Sequence, residues 1–578
     1  MGYILLLILV VGAVLAAWVG NLRAAQPKAT EETALSAEHA QALGDSAIAE
    51  FQRNAIEKSP LPAEPSDMPV YVALRSNGLL KGRAWAAEQS ALDSVRRAVA
   101  IARDEVSPAD EPTITTIEIC ITHNYRLIAE VGGARMPQSK DVGILGLQIA
   151  KGQKLRRFAP TEMIARNLPF EKALTLTRDD WAGESGLEML RAFDAHQIMV
   201  DVPTGVVTRM YRGNTIVPFE HVTRDNVRTL GDGLLRWMQH DMRPDGSFKY
   251  KYWPSRGEYS DAANTIRELL GTIALSRWAR HTNDGGVQEL ARRNLGASIS
   301  AYYRAEDGLG SIIDGNTVKL GAVGLAALAI MESPDRAQYA EQEAALLRTM
   351  DHLWNADTGE FRTFLRPPDR NDNENFYPGE ALLAWGTLYS ESKDPALLAK
   401  IMKAFTYYRD WHRKNRNPAF VPWHTQAYAL VYLETRDESL RDFIFEMNDW
   451  LVTTQQWDDA PYPDMKGRFY SPDFKGYGPP HASSTGVYME GLVAAYRVAV
   501  AAEDAERVEQ YRTALRRGMR SIMQLQFSNA IDLFYVSKRD IVTGGIRTTE
   551  HNNELRIDNA AHNLLAVAGA LSESNIFD

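Results

Sequence analysis

The sequence predicts a multidomain chain: an N-terminal membrane anchor, a small α+β domain, and then an all-α (α/α)6 toroid of six helical hairpins. Three observations predict it: an apolar run at the N-terminus, alternating strand patterns in the next part, and a long series of helical patterns after it. The predicted boundaries are 1–22 for the anchor, 23–67 for a stalk, 68–220 for the α+β domain and 221–578 for the toroid.

Composition excludes several classes of function. The 578 residues carry a net charge of -10, so nucleic acid is not an expected partner. Cys120 is the one cysteine, which excludes an intramolecular disulfide and a zinc or iron–sulfur site built on cysteines. We expect it to be a buried strand residue. No cofactor is predicted, and no dense acidic triplet or His-Glu-x-x-His motif predicts a metal site.

The anchor is predicted from "MGYILLLILVVGAVLAAWVG", in which residues 3–19 are apolar. This length is at the short end for a membrane span and exceeds most signal-peptide cores. "AVLAAW" is a possible cleavage site, but we favour an uncleaved, single-pass signal-anchor in the cell inner membrane. Arg23 and Lys28 follow the run and no basic residue precedes it, so the charges give no clear orientation and, taken literally, favour a cytoplasmic C-terminal side. We expect most of the chain to be periplasmic.

Strand and helix signals alternate in the α+β domain. They are "VALRSNGLLKGRAWA" with an Asn-Gly turn, the amphipathic "SALDSVRRAVAIARDE", the alternating "IEICITHNYRLI", and "GLQIAKGQKLRRFAPTEMIARNLPFEKAL" with a hairpin at Lys151-Gly152. Over about 110 residues this order resembles the AMMECR-type domain family. The resemblance implies a fold and assigns no catalytic residue.

Twelve helical patterns follow, and odd and even members differ. Odd ones such as "RAQYAEQEAALLRTMDHLW" are amphipathic, whereas even ones such as "NTVKLGAVGLAALAIM" are apolar on nearly every side and must be buried. Alternating outer and inner helices, with a period of about 55–60 residues, predict six hairpins closed into a ring. The predicted helices span 223–242, 259–280, 285–304, 316–331, 335–355, 378–391, 395–415, 422–435, 437–455, 482–502, 504–526 and 557–573.

Long aromatic segments precede several inner helices, and in a ring they share one mouth. Polar residues lie at the start of those helices. The predicted catalytic candidates are Glu380, His424, His481, Glu490 and Asp558. The predicted substrate-binding residues are Asp261, Arg267, Trp253, Tyr377, Trp423, Tyr488, Arg556 and His562, with Tyr477 as a further aromatic.

Each of these residues also has a purely structural interpretation. Glu380 is a favourable first-turn acid, Asp261 and Asp558 are good N-caps, and His562 on an apolar face suits a core histidine. Collectively, carboxylates, imidazoles, tyrosines and arginines at one mouth predict acid–base work on a polar ligand, and the aromatic faces suit sugar rings. Opposed carboxylates would favour hydrolysis, whereas tyrosine, histidine and arginine would favour proton abstraction beside a uronate.

Three inner-helix stretches carry a second resemblance: "FYPGEALLAWGTLY", "SDAANTIRELLG" and "ELRIDNAAHNLLAVAGAL". They look like the inner helices of six-hairpin carbohydrate enzymes such as glucuronyl C5-epimerase C-terminal domains and some polysaccharide lyases. The resemblance implies binding and modification of a polysaccharide by hydrolysis, elimination or epimerisation. Two alternatives stay open: a non-catalytic glycan-binding partner of envelope glycan assembly or export proteins, and a toroid with a non-carbohydrate ligand.

Overall fold

A computed structural model of the protein describes residues 35–53, 69–129, 136–471 and 478–578. The predicted anchor and most of the stalk expected over 23–67 lie outside these ranges. Within them, no helix combines the length and the apolar character that crossing a membrane requires.

Part of the expected stalk is a packed helix, α1 (Ala37–Phe51). Its Ala40, Leu43 and Ala47 recur at spacings of three and four residues and are buried in the core of the sheet domain. Composition predicts a stalk here because the stretch is rich in alanine and glutamate, whereas the spacing of its apolar residues produces a helix with one buried face.

The sheet domain continues with seven strands and three short helices. They are β1 (Val70–Ser76), β2 (Leu79–Ala86), α2 (Ala91–Asp104), β3 (Thr116–Ala129), β4 (Leu145–Lys151), β5 (Lys154–Phe158), α3 (Pro160–Ala165), α4 (Phe170–Asp180), β6 (Glu188–Asp201) and β7 (Val207–Met210). The strands form one antiparallel sheet in the order β2-β1-β3-β6-β4-β5, and β7 pairs with β6.

Both predicted hairpins are present in this sheet. Asn77 and Gly78 join β1 to β2 with φ angles of 46° and 84°, the left-handed pair that a tight two-residue hairpin turn requires. Gly152 joins β4 to β5 with φ of 59°. Cys120 is fully buried in β3, as predicted.

All twelve predicted helices are present among the described residues. In pairs of outer and inner helix they are α5 (Arg224–Asp241) and α6 (Thr265–Thr282), α7 (Gly285–Tyr302) and α8 (Leu320–Met331), α9 (Ala340–Leu353) and α10 (Tyr377–Ser392), α11 (Pro395–Lys414) and α12 (Val421–Thr435), α13 (Glu438–Val452) and α14 (Ala482–Ala501), and α15 (Ala505–Leu525) and α17 (Ile557–Leu571), with the short α16 (Arg539–Val542) before the last.

The inner helices close a ring. α6 contacts α8, and the contacts continue through α10, α12, α14 and α17 back to α6. Every residue of α8 is buried, as expected for a helix that is apolar on all sides. The parallel inner helices therefore bring their N-terminal ends to one mouth.

Short strands at the mouth were not predicted. One sheet has the order β14-β15-β8-β9, made of β8 (Lys251–Trp253), β9 (Glu258–Tyr259), β14 (Arg547–Thr549) and β15 (Asn552–Arg556). A second sheet contains β10 (Tyr303–Glu306), β11 (Leu309–Asp314), β12 (Thr317–Lys319) and β13 (Phe364–Arg366). Strands of two to six residues are too short to give an alternating sequence pattern, so these segments read as loops.

Candidate functional site

A cavity of about 390 Å³ lies at the N-terminal ends of the six inner helices. Every inner helix, with the residues at its N-terminus, contributes to the wall. Nine residues predicted from the sequence line it together: Arg267, Glu380, Tyr377, Trp423, His481, Tyr488, Arg556, Asp558 and His562.

Glu380 lies in the first turn of α10, and only 3% of its surface is exposed. Its Oε2 packs over Gly321 of α8, where no Cβ could be accommodated, and has no hydrogen-bond partner among the described residues. Burial raises the pKa of Glu380 to about 8. The helix dipole favours the charged form by only about 0.3–1 kcal/mol, so desolvation wins and the group is mostly a neutral carboxylic acid at pH 7.

Asp558 lies at the second position of α17, and arginines engage both of its oxygens. Nε of Arg556 donates to Oδ1 at 2.9 Å while Nη2 of the same side chain donates to Oδ2. Nε of Arg267 lies 2.8 Å from Oδ2. Burial opposes ionisation of Asp558, but the charges of the two guanidinium groups outweigh it and hold the pKa well below its usual range. Two cations share one anion, so this wall keeps a net positive charge.

His562 lines the cavity, and Glu490 lies behind it. Nδ1 of His562 is 2.7 Å from Oε1 of Glu490, whose side chain is 4% exposed. An ionised carboxylate can only accept, so Nδ1 then carries the proton and Nε2 is left as the basic nitrogen. The pair therefore combines a base with the group that orients it.

A polar column continues from Glu490 through the interior of the ring. Burial raises the pKa of Glu490 above its usual value, and His562, the charge of Arg277 and a hydrogen bond from Gln426 offset only part of this rise. Nη2 of Arg277 lies 2.7 Å from Oε1 of Glu332, and Arg280 binds the other oxygen of Glu332 at 2.8 Å. These groups oppose the effect of burial on Glu490, and Arg277 is itself paired with Glu332.

His481 is the N-cap of α14. Its Nδ1 accepts hydrogen bonds from the main-chain N–H of Ser484 at 3.1 Å and from the hydroxyl of Ser483 at 2.7 Å. Burial and the charge of Arg556 lower the pKa of His481 to about 4. The imidazole is therefore neutral at pH 7, with its proton on Nε2, and it can donate a hydrogen bond.

Aromatic side chains form the apolar part of the wall. Trp423 meets His562 edge to face with ring centroids 5.9 Å apart, and Tyr488 meets Phe469 in the same way at 5.9 Å. Tyr377 lies beside Glu380, and burial raises the pKa of its hydroxyl. These rings give flat apolar faces next to the polar groups.

His424 does not line the cavity. It is fully buried behind the wall, stacked on Phe420 at 3.5 Å between ring centroids, and its Nδ1 lies 3.1 Å from the carbonyl oxygen of Phe420. Burial lowers its pKa to about 3, so it is neutral. The helical turn of α12 directs Trp423 to the cavity and His424 towards Tyr408 of the outer helix α11.

Two other predicted residues lie away from the cavity. Asp261 is exposed and precedes α6, whose N-cap is Asn264. Trp253 lies in β8 and donates from Nε1 to Glu554 at 3.1 Å. Tyr477 lies outside the described residues.

Several lining residues were missed by the sequence analysis, namely Lys319, Phe469, Tyr470, Ser483 and Ser484. The two serines directly follow His481 at the start of α14, a position that could have identified them. In the described ranges, no group of three or more His, Cys, Asp or Glu side chains is arranged to hold a metal ion.

Comparisons with known proteins found matches among solved structures only. No protein-family model and no curated protein matches the chain. A D-mannose isomerase structure is 10% identical, with a TM-score of 0.47 over 62% of this chain and 99% of its own. An alpha-1,6-mannanase structure from Salegentibacter sp. HEL1_6 is 9% identical, with a TM-score of 0.44 over 59% of this chain and 98% of its own. An uncharacterised protein from Pyrococcus horikoshii is 16% identical, with a TM-score of 0.24 over 30% and 94%. At these values the matches assign no activity.

Proposed function

We propose that the protein modifies an acidic oligosaccharide or polysaccharide, and that its reaction begins with removal of a proton from the sugar carbon beside a carboxylate. The observation that carries this proposal is the pair formed by His562 and Glu490, with the imidazole at the cavity and the carboxylate behind it. Enzymes commonly use a histidine that is oriented by a carboxylate to transfer protons.

The walls support a sugar acid as the ligand. The volume is within the range of small-ligand sites, and flat aromatic faces alternate with a few polar groups. The surplus positive charge of Arg267 and Arg556 over Asp558 suits a carboxylate, which a guanidinium can bind through two hydrogen bonds.

Each polar residue has a role in such a reaction. Nε2 of His562 takes the proton from the carbon, and the electron pair of the broken C–H bond moves into the carboxyl group. Arg267 and Arg556 balance the charge that develops there. Nε2–H of His481 donates a hydrogen bond to an oxygen of this carboxyl group, as a neutral imidazole at a helix N-terminus can.

Glu380 is the proton donor for the second half of the reaction. In epimerisation it protonates the carbon from the opposite face. In elimination the electron pair instead forms a carbon–carbon double bond, the bond to the neighbouring glycosidic oxygen breaks, and Glu380 protonates that oxygen. Both outcomes share the first step and the same residues.

Hydrolysis is the second candidate, and one observation favours it. Burial raises the pKa of Glu380 to about 8, whereas the two arginines keep Asp558 ionised, so the cavity holds one protonated and one ionised carboxyl group. Against this role, both oxygens of Asp558 are already engaged by Arg556 and Arg267, which weakens it as a nucleophile or base.

The deciding experiment incubates the full chain, purified in mild detergent, with a panel of neutral and uronic-acid polysaccharides. Proton abstraction is detected as exchange of the C5 hydrogen in deuterated water, and elimination as an unsaturated product by mass. New reducing ends without unsaturation would identify hydrolysis instead. Binding without any of these products would support a non-catalytic glycan-binding protein and overturn the proposed reaction.

A further inference from the structure

None of the described sheet-domain residues lines the cavity, yet an arginine of that domain reaches into the toroid. Arg212 follows β7 in a turn, with φ of 52°, and its side chain is 2% exposed. The main-chain N–H of Gly213 donates to Oε1 of Gln197 on β6 at 2.9 Å, which fixes the turn to the sheet. The guanidinium is thus carried by the sheet domain in a defined position.

The partner of Arg212 belongs to the toroid. Its Nε donates to Oδ2 of Asp464 at 2.6 Å, and Asp464 is 3% exposed. Nη1 donates to the carbonyl oxygens of Lys140, at 2.7 Å, and of Val142, both in the sheet domain. Removal of one member of such a buried pair leaves the other charge unpaired in a low-dielectric environment, which is strongly unfavourable.

The residues around Asp464 in the chain are also bound to the sheet domain and to an outer helix. Tyr462 donates from its hydroxyl to Oδ1 of Asp141 in the sheet domain at 2.8 Å, and its ring lies 5.1 Å below the guanidinium of Arg212. From the other side, Nη1 of Arg520 on α15 donates to the carbonyl oxygen of Asp464 at 3.1 Å. Residues 462–464 are therefore fixed between the sheet domain and an outer helix.

This fixed point lies a few residues before the cavity wall. Phe469 and Tyr470, which line the cavity, follow Asp464 by five and six residues. Arg468 lies between Asp464 and Phe469 in the chain. Its Nη1 donates to Oε2 of Glu550 at 3.1 Å in a second buried ion pair.

Glu550 connects the segment that carries Arg468 and Phe469 to the other side of the cavity. It lies between β14 and β15, and β15 ends at Arg556, which holds Asp558. The sheet domain also contacts this hairpin directly, because Nδ2 of Asn553 donates to the carbonyl oxygen of Ile164 at 3.0 Å. Two cavity-lining segments thus depend on the same interface.

We infer that Arg212 is a positioning residue for the cavity: through Asp464 the sheet domain holds the segments that carry Phe469 and Arg556 at the distance a ligand needs. The inference rests on the proposed function in one respect, that the cavity is where the glycan binds. It gives the sheet domain a role in ligand binding although none of its described residues lines the cavity.

The test compares Arg212→Gln with Arg178→Gln in the full chain. Arg178 pairs with Glu188 in the same domain, and its side chain is 55% exposed. Its substitution therefore removes the same charge from the surface and not from a buried position. Hydrogen–deuterium exchange of residues 455–471 and 547–556 is measured first, and then affinity for the glycan bound by the parent protein. Arg212→Lys, which keeps the charge, is the second variant should Arg212→Gln not fold.

We expect exchange in both segments to rise about tenfold in Arg212→Gln and not in Arg178→Gln. Glycan affinity, or KM, should weaken about tenfold with a smaller change in kcat, because Glu380, Glu490 and His562 lie outside the two loosened segments. Unchanged exchange in residues 455–471, or an unchanged affinity with raised exchange, would overturn the inference. If the parent protein binds no glycan, the proposed function fails, and the exchange result alone then decides whether Arg212 holds these segments.

Discussion

Nδ1 of His562 lies 2.7 Å from Oε1 of Glu490, with the imidazole at the cavity and the carboxylate behind it. A buried glutamate in an apolar inner helix requires a partner, and this partner is the side chain best placed to act as a base. The relationship makes Glu490 an orienting group, because His562 and not Glu490 lines the cavity.

The first prediction concerns this pair. Glu490→Gln keeps the size of the side chain but removes the carboxyl group that holds Nδ1 of His562. We expect kcat to fall by about 10²–10⁴-fold, as it should for His562→Gln, because either change removes the oriented base. Activity is measured on the polysaccharide identified in the panel.

His352→Gln on the outer helix α9 is the matched control and should retain parental activity. His352 lies away from the cavity wall, at 3.4 Å from Arg362. A double variant of Glu490 and His562 should be no slower than the slower single variant, because the two act as a unit. Additive losses in the double variant would contradict a shared role.

The second prediction concerns the pH dependence of stability. Burial raises the pKa of Glu380 from its ordinary 4.5 to about 8, so the unfolded chain releases this proton first as the pH rises. The stability that Glu380 contributes to the folded state therefore falls between about pH 4.5 and pH 8, by on the order of 5 kcal/mol. Glu380→Gln has no such proton, so it should become more stable relative to the parent as the pH is raised.

Urea denaturation at pH 5 and at pH 8 measures this difference. We expect the unfolding free energy of Glu380→Gln minus that of the parent to be larger at pH 8 by a few kcal/mol. The unpaired amide of the glutamine adds a cost that is the same at both pH values, and it cancels in the comparison. Equal differences at the two pH values would show that Glu380 is ionised in the folded protein.

The sequence predicted the ring because its signal is local. The run from Leu320 to Met331 is apolar on every side, which directly implies burial, and the alternation with amphipathic helices implies pairs. The same reasoning placed Glu380, His481 and Asp558 at helix starts that share one mouth.

The sequence could not show which side of an inner helix faces the cavity, nor which distant segments are in contact. Trp423 and His424 are neighbours in the chain, yet only Trp423 faces the cavity. Arg212 and Asp464 are 252 residues apart, and no local pattern indicates that they pair. Asp261 was predicted to bind substrate, with an N-cap as its structural alternative, but the N-cap of α6 is Asn264, three residues later.

The third prediction concerns the anchor, which we propose holds the protein at the inner membrane with most of the chain in the periplasm. The apolar run over residues 3–19 supports it. Deletion of residues 1–25 should move the protein from the membrane fraction to the soluble fraction after fractionation. Retention of the deleted protein in membranes after a high-salt wash would reveal a different attachment, and a C-terminal reporter active only in the cytoplasm would reverse the orientation.

The fourth prediction tests the charge of the ligand. Arg267→Gln leaves Asp558 paired with both donors of Arg556 and removes the surplus cation from the cavity wall. A lost charged hydrogen bond is worth about 1.5–3 kcal/mol, so KM for an acidic glycan should rise about 10–150-fold. A neutral glycan of the same linkage should bind with little change. Arg228→Gln on the outer helix α5 is the matched control, because it removes the same charge from a side chain that is 46% exposed and pairs with Asp232 at the surface. If Arg267→Gln weakens acidic and neutral glycans equally, the arginine shapes the cavity and does not recognise a carboxylate.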